Sequence, residues 1–227
     1  QISYFVRAPH RVQVDEIYSR IINIAQGAAL MTDTTFDVEF VGACYNYISN
    51  DVIGRIILEK LKKIGAPKFT DEEKAFAKQL QATFPPTTVE SALRDYGLTR
   101  EEVGDPLCDK ILDRVASFVK ERVMPASTDL ADVSHITPTG QFTTCCMPLG
   151  VALHSWQSTA SVGSTIGFKG MMLGAKAMAL TALDLEVKPD VLRAAHNEFE
   201  KTTGGKKYVS PLPEGFIPPI KKPALGK

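Results

Sequence analysis

The chain has 227 residues, with 26 Lys and Arg against 26 Asp and Glu, so its formal net charge is zero. That balance excludes the basic excess by which nucleic-acid binders attract phosphate. The length suits one large domain, or one and a half ordinary ones, with a substantial core. The most apolar stretch, near residues 170–185, is interrupted by Lys176 and ends at Asp184, so no segment is expected to reach the ~20 apolar residues that span a bilayer. No signal peptide is visible.

In chain order, Ile2, Tyr4 and Val6 alternate with Ser3, Phe5 and Arg7, the period of a strand. A strand at the first residue has no lead-in, from which a missing N-terminal portion is expected. Val14, Ile17, Ile21, Ile24, Ala25 and Ala28 then recur at helical spacing, with Asp15 and Glu16 in the first turn. Phe36, Val38 and Phe40 alternate with Asp37 and Glu39. The first ~45 residues therefore read as β-α-β. The next helix carries Ile53, Ile56, Ile57, Leu61 and Ile64 on one face, between an Asn50 cap and Gly65. Capping boxes at Thr70–Glu73 and Thr99–Glu102 open two more. The first of these stops at Pro85–Pro86. The second box leads to a main helix after Pro106, with Leu107, Ile111, Val115, Phe118 and Val119 inward. Residues 127–140 are turn-rich and 141–147 are β-prone. Residues 161–185 predict a helix whose glycines and alanines permit close packing, residues 188–205 an amphipathic helix, and the proline-rich tail is expected to be irregular. The fold class read from this pattern is α/β.

Chemistry-bearing residues are few. Arg7 ends the first strand, either as a solvated arginine or as a carboxylate clamp, since the guanidinium fork matches a carboxylate. "STDLADVSH" gathers Asp129, Asp132, Ser134 and His135, either as a capping turn or as a carboxylate that orients a ligand group. His154 stands in "MPLGVALHSWQ", between turn-formers and an indole. The four histidines show no zinc-ligand spacing, and no nucleotide loop or nucleophile elbow occurs. Lys169 and Lys176 read as solvated or partner-facing. Cys44, Cys108, Cys145 and Cys146 form no C-x-x-C pair, and the expectation is free thiols in a reducing cytoplasm.

Together "SYFVRAPHRVQVDEIYSRIINIAQGAALMT", "STDLADVSHITPTGQ", "PLGVALHSWQ" and "GFKGMMLGAKAMALTALDL" resemble the C-terminal half of the aminobenzoyl-glutamate utilization amidohydrolases of the B-subunit type. That group lies in the dinuclear metallopeptidase clan with aminoacylase and hippurate hydrolase. The resemblance implies the second half of a catalytic α/β domain plus part of a ferredoxin-like lid that makes a homodimer. Residues 1–45 would be the partial lid and 46–227 the catalytic portion. It places Arg7 on the substrate's carboxylate, His154 as a metal ligand and Asp129 as support for the metal-site loop. It implies two divalent ions, zinc or manganese, in the full-length enzyme, with none held tightly by this chain alone. The substrate implied is a small N-acyl or N-aroyl amino acid such as p-aminobenzoyl-glutamate, with no nucleic acid and no membrane. The remaining ligands and the general base have no match here, so no catalytic residue is assigned. Two other readings stand beside this one: a non-catalytic dimerisation or carboxylate-binding module, and one chain of a split enzyme that needs a separate partner chain.

Overall fold

A computed structural model of the chain describes residues 2–85, 87–113 and 126–217. Among them the regular structure is entirely helical, in nine helices: α1 (Arg11–Thr32), α2 (Asp51–Ile64), α3 (Asp71–Gln81), α4 (Thr87–Tyr96), α5 (Arg100–Val103), α6 (Leu130–Val133), α7 (Trp156–Val162), α8 (Thr165–Val187) and α9 (Pro189–Thr203). This corrects the α/β expectation. Residues 2–8 and 34–50 on either side of α1, and 141–146, carry no regular structure, and among the described residues none of them pairs into a sheet. The reason is physical. Alternation assigns side chains to two faces, but a strand exists only through the ladder that a neighbour supplies.

The helical boundaries follow local chemistry. The Asn50 side chain accepts from the Ile53 N–H at 3.1 Å and donates to the Ala195 carbonyl at 2.9 Å. Glu198 of α9 then takes the Asp51 and Val52 N–H groups with its two carboxylate oxygens, at 2.9 and 3.0 Å. One helix thus caps another, and both ends of the contact are satisfied. The Thr70–Glu73 box opens α3 and the Thr99–Glu102 box opens α5, which lasts four residues only. Residues 104–113 are irregular rather than helical. The rest of the helix expected after Pro106, from 114 to 125, lies outside the described residues, as do Pro86 and the tail from 218.

Three apolar clusters hold the helices, all built from residue 50 onward. Ile53, Ile57 and Leu61 of α2 pack on Leu173 and Ala177 of α8 and Ala195 of α9, with Phe142 beside them. Phe69, Ala77, Leu107 and Ile166 form the second cluster, and Val89, Leu93 and Val103 the third. By contrast α1 has no buried residue, and Ile24, Leu30 and Met31 stand open to solvent. The chain's accessible surface is 15954 Å², against about 10,000 Å² for a compact monomer of this mass.

Central to the packing is α8, apolar nearly all round. It buries Ile166, Gly170, Leu173 and Ala177 and exposes Phe168, Met171, Met172, Met178 and Leu183. By length and composition it is long enough and apolar enough to cross a membrane, which corrects the expectation that no segment is. Gly170 makes its buried contact possible: a Cβ there would stand 2.5 Å from Cys146 Sγ and closer still to the Cys145 carbonyl oxygen. Lys169 is not a partner-facing cation. Its ammonium reaches Glu73 at 2.6 Å and the Lys68 carbonyl at 2.9 Å, tying α8 to α3. Lys176 is exposed.

Two carboxylates on these ties titrate low. Burial pushes Glu73 up, but hydrogen bonds from Lys169, Thr165 and the Thr70 backbone more than reverse it. Lys60, then Lys188, hold Asp184 below the ordinary carboxylate range, and Asp184 in turn raises Lys60. A depressed carboxylate contributes stability that is complete above its unfolded pKa of about 4 and lost as pH falls through its folded value. The raised Lys60 contributes fully below about pH 10 and loses its share as pH rises through its folded pKa.

Two glycines on one helix give a matched test of the α8 contact. Gly174 meets nothing nearer than Thr144 Cγ2 at 3.9 Å. Gly174→Ala should therefore be neutral or stabilising, by up to about 1 kcal/mol of helix propensity. Gly170→Ala should destabilise by about 1–3 kcal/mol through overpacking against backbone. Urea midpoints of the two variants check this, and equal shifts would disprove the close seating of 145–146 on α8.

Candidate functional site

His154 lies in a turn that joins the irregular segment 141–146 to α7. Pro148 is buried at the start of that turn and Gly150 adopts φ +85°. His154 itself has φ +61°, in the left-handed region. A non-glycine residue there is uncommon, and such conformations concentrate where side chains are held for function. The other described non-glycine case, Asp33 at φ +52°, is an ordinary left-handed helix cap. After His154, Ser155 caps α7 by accepting from the Ser158 N–H at 3.2 Å and donates to the Ala152 carbonyl at 2.7 Å. The imidazole is thus fixed at its root on both sides. Its ring is exposed and makes no hydrogen bond among the described residues, between Leu153 at 68% and Trp156 at 60% exposure.

The polar turn after residue 126 clasps a neighbouring segment. Asp129 starts α6 without a side-chain cap bond, and its carboxylate is exposed. The working carboxylate is Asp132, which accepts from the Tyr45 N–H at 3.3 Å and from the Tyr208 hydroxyl at 3.0 Å. Ser134 Oγ accepts from the Ile48 N–H at 2.9 Å and donates to the Ala131 carbonyl. His135 Nε2 bonds the Asn46 carbonyl at 2.8 Å, and its ring lies 4.5 Å from that of Tyr45. Three side chains therefore replace the ladder that a strand at 45–48 would use. Sequence reasoning singled out the turn but not which aspartate is engaged. The signal available was the D-V-S-H run itself, four consecutive residues of which three reach one neighbouring segment.

Arg7 is exposed in the irregular N-terminal segment, its guanidinium 5.7 Å from the Phe5 ring centroid. Arg7 and Asp129 both line one broad open trough, together with Tyr45, Asp132 and residues 147–153. His154 is one residue beyond that lining.

Among the described residues no three of His, Cys, Asp and Glu converge as a metal site would require. All four cysteines are free and half-buried. Burial pushes the Cys145 thiol up to about 12 and raises Cys108 as well, so neither is a ready nucleophile.

Burial, and after it the hydrogen bond and charge of Asp132, raise the Tyr208 phenol. Asp132→Asn should bring its titration part of the way back toward 10 and cost about 1–2 kcal/mol of stability. Spectrophotometric titration with Tyr208→Phe as the blank checks the first, and an unmoved phenol would show that Asp132 does not hold the tail.

No family model matches the chain, and no solved structure matches it. A curated relative does: the B-subunit of p-aminobenzoyl-glutamate hydrolase from Escherichia coli (strain K12), 34% identical over 228 residues. The match takes in 97% of this chain and 47% of the relative. The chain therefore spans about half the length of the relative it matches.

Proposed function

From this relationship to the aminobenzoyl-glutamate hydrolases, we propose that the chain is one portion of a metal-dependent amidohydrolase that splits the amide of an N-aroyl or N-acyl amino acid, with p-aminobenzoyl-glutamate as the model substrate. The observation that carries the reading is the 34% identity running through nearly all of the chain. His154 fits the role of a single imidazole ligand to a pair of divalent ions, zinc or manganese, both of which suit such a donor. Its exposed ring and fixed left-handed root support that role. The ions, when bound, would supply activated water and a polarised carbonyl. A pair of ions needs several donors, so the remaining ligands and the general base come from polypeptide beyond this chain.

The chain's own residues bind and orient. Arg7 holds the carboxylate of the amino-acid half of the substrate through the two parallel hydrogen bonds its fork offers. Asp129, with a carboxylate unclaimed by the fold, supports the loop facing the ligand. Asp132, whose two oxygens are already engaged, keeps that loop in place. Residues 1–45, whose helix adds nothing to the core clusters, are the portion we assign to a lid and to pairing with a second copy.

In the chain completed to the length of its relative, His154→Ala should abolish release of p-aminobenzoate and lower metal content while leaving the circular dichroism unchanged. Undiminished metal by elemental analysis would refute the ligand role. Arg7→Ala should raise KM for p-aminobenzoyl-glutamate roughly 10- to 100-fold, the range of a charge-assisted hydrogen bond. An equal loss on an amide lacking that carboxylate would refute the clamp.

A further inference from the structure

We infer that Trp156 is the contact for the aroyl ring of the substrate, and that it sets a preference for N-aroyl over small N-acyl amino acids. The inference rests on the reading of the chain as part of an amidohydrolase with His154 at its metal centre. It goes beyond that reading by assigning the acyl half of the substrate to a named side chain.

Three observations carry it. The first is exposure. Trp156 is the only tryptophan of the chain, and its indole stands open, with no ring contact and no hydrogen bond among the described residues. Tryptophan is strongly buried on average, and here it is left bare beside a second exposed apolar side chain, Leu153. Contiguous apolar surface of this kind is where ligands and partners are held.

The second is placement. Trp156 opens α7, and two residues span at most ~7 Å of chain, so its backbone stays that close to His154. The Ser155 hydroxyl holds the start of α7 from one side. From the other, the Gln157 amide donates to the Thr83 hydroxyl at 3.0 Å, and that hydroxyl donates to the Leu80 carbonyl of α3 at 2.7 Å. The indole therefore springs from backbone tied on both sides, as the imidazole does, and supported roots of this kind hold a side chain to one aim.

The third is charge. No Asp, Glu, Lys or Arg occurs from Val133 to Phe168, in a chain of which 23% of the residues are charged. The stretch around His154 thus offers no cation to a carboxylate and suits the neutral end of the substrate.

The chemistry of the amide then fixes which end lies where. In an N-aroyl amino acid the ring is bonded directly to the carbonyl carbon that is attacked, while the carboxylates lie beyond the amide nitrogen. When that carbonyl lies at the ion His154 would hold, the ring lies among His154's own neighbours. Aromatic rings pair at centroid separations of about 4.5–7 Å, within reach of an indole two residues away. An acetyl group has no face to pair. Phe5 is exposed too, but it stands 5.7 Å from the Arg7 guanidinium and so belongs with the carboxylate end.

The test compares p-aminobenzoyl-glutamate with N-acetyl-glutamate in the chain completed to the length of its relative. The two share the amino-acid half, so the contribution of Arg7 cancels. Trp156→Ala should lower kcat/KM for the aroyl substrate roughly 10- to 100-fold, the worth of a stacked ring and the apolar area it covers. It should leave kcat/KM for the acetyl substrate unchanged, and Trp156→Phe, which keeps a ring, should retain most of the preference. A second readout needs no turnover. In protein carrying 5-fluorotryptophan, the fluorine resonance missing from Trp156→Phe is that of Trp156. Addition of p-aminobenzoate, the ring-bearing product, should shift that resonance, and acetate should not. Hydrolysis with equal losses on the two amides would overturn the ring contact and leave the hydrolase reading standing. A resonance that p-aminobenzoate leaves in place would overturn the contact too, and is the result expected if the added polypeptide covers the indole. Loss of the circular dichroism signal in Trp156→Ala would overturn it by making the indole a packing residue. A shift by p-aminobenzoate in a protein that hydrolyses neither amide would support the contact and overturn the hydrolase reading.

Discussion

The Cys145 carbonyl and the Cys146 thiol lie against Gly170 at a separation that no side chain on that residue would permit. This contact seats the segment 141–146 on α8, and the chain then runs without interruption through the Pro148–Gly150 turn, His154, the Ser155 cap, α7 and back into α8. The imidazole is therefore presented by a closed circuit whose two ends pack on each other. The turn is braced further by the Leu149 N–H on the Pro106 carbonyl, by Gln81 on the Leu149 carbonyl and by Leu149 against the Val89 cluster. The second brace is electrostatic: Lys169, one residue before Gly170, pins α8 to Glu73 and so to the start of α3.

Helices α2, α8 and α9 pack through Ile53, Leu173 and Ala195, and Glu198 closes the end of α2. The segment 45–48 is pinned by Asp132, Ser134 and His135. Side-chain clasps of this kind satisfy a few peptide groups but build no layer, and the apolar faces of α1 and α8 remain uncovered.

Much of the helical part was legible in the sequence because its signals are local. Asn50 with Gly65, the Thr70–Glu73 box and Gly204 after α9 each satisfy orphan groups within a few residues, and the helices begin and end where they lie. Close packing at the glycines of α8 was legible for the same reason. The strands were not, since alternation in 2–7 and 36–40 names faces and says nothing of a neighbour. The short helices α4 and α7 were missed because α4 sits behind two prolines and α7 is seven residues long, less than two full apolar repeats. At the site, Arg7, Asp129 and His154 came from resemblance rather than from spacing. The engagement of Asp132 rather than Asp129 depends on Tyr45 and Tyr208, which lie 87 and 76 residues away in the chain.

In the proposed reading the helical scaffold presents one imidazole, that of His154, to a metal centre whose other ligands the described residues do not supply. An experimental structure of the chain completed to the length of its relative, solved with manganese or zinc, tests this most directly. The proposed reading predicts the His154 ring coordinated to an ion. A His154 ring turned to solvent away from an occupied metal site would contradict it.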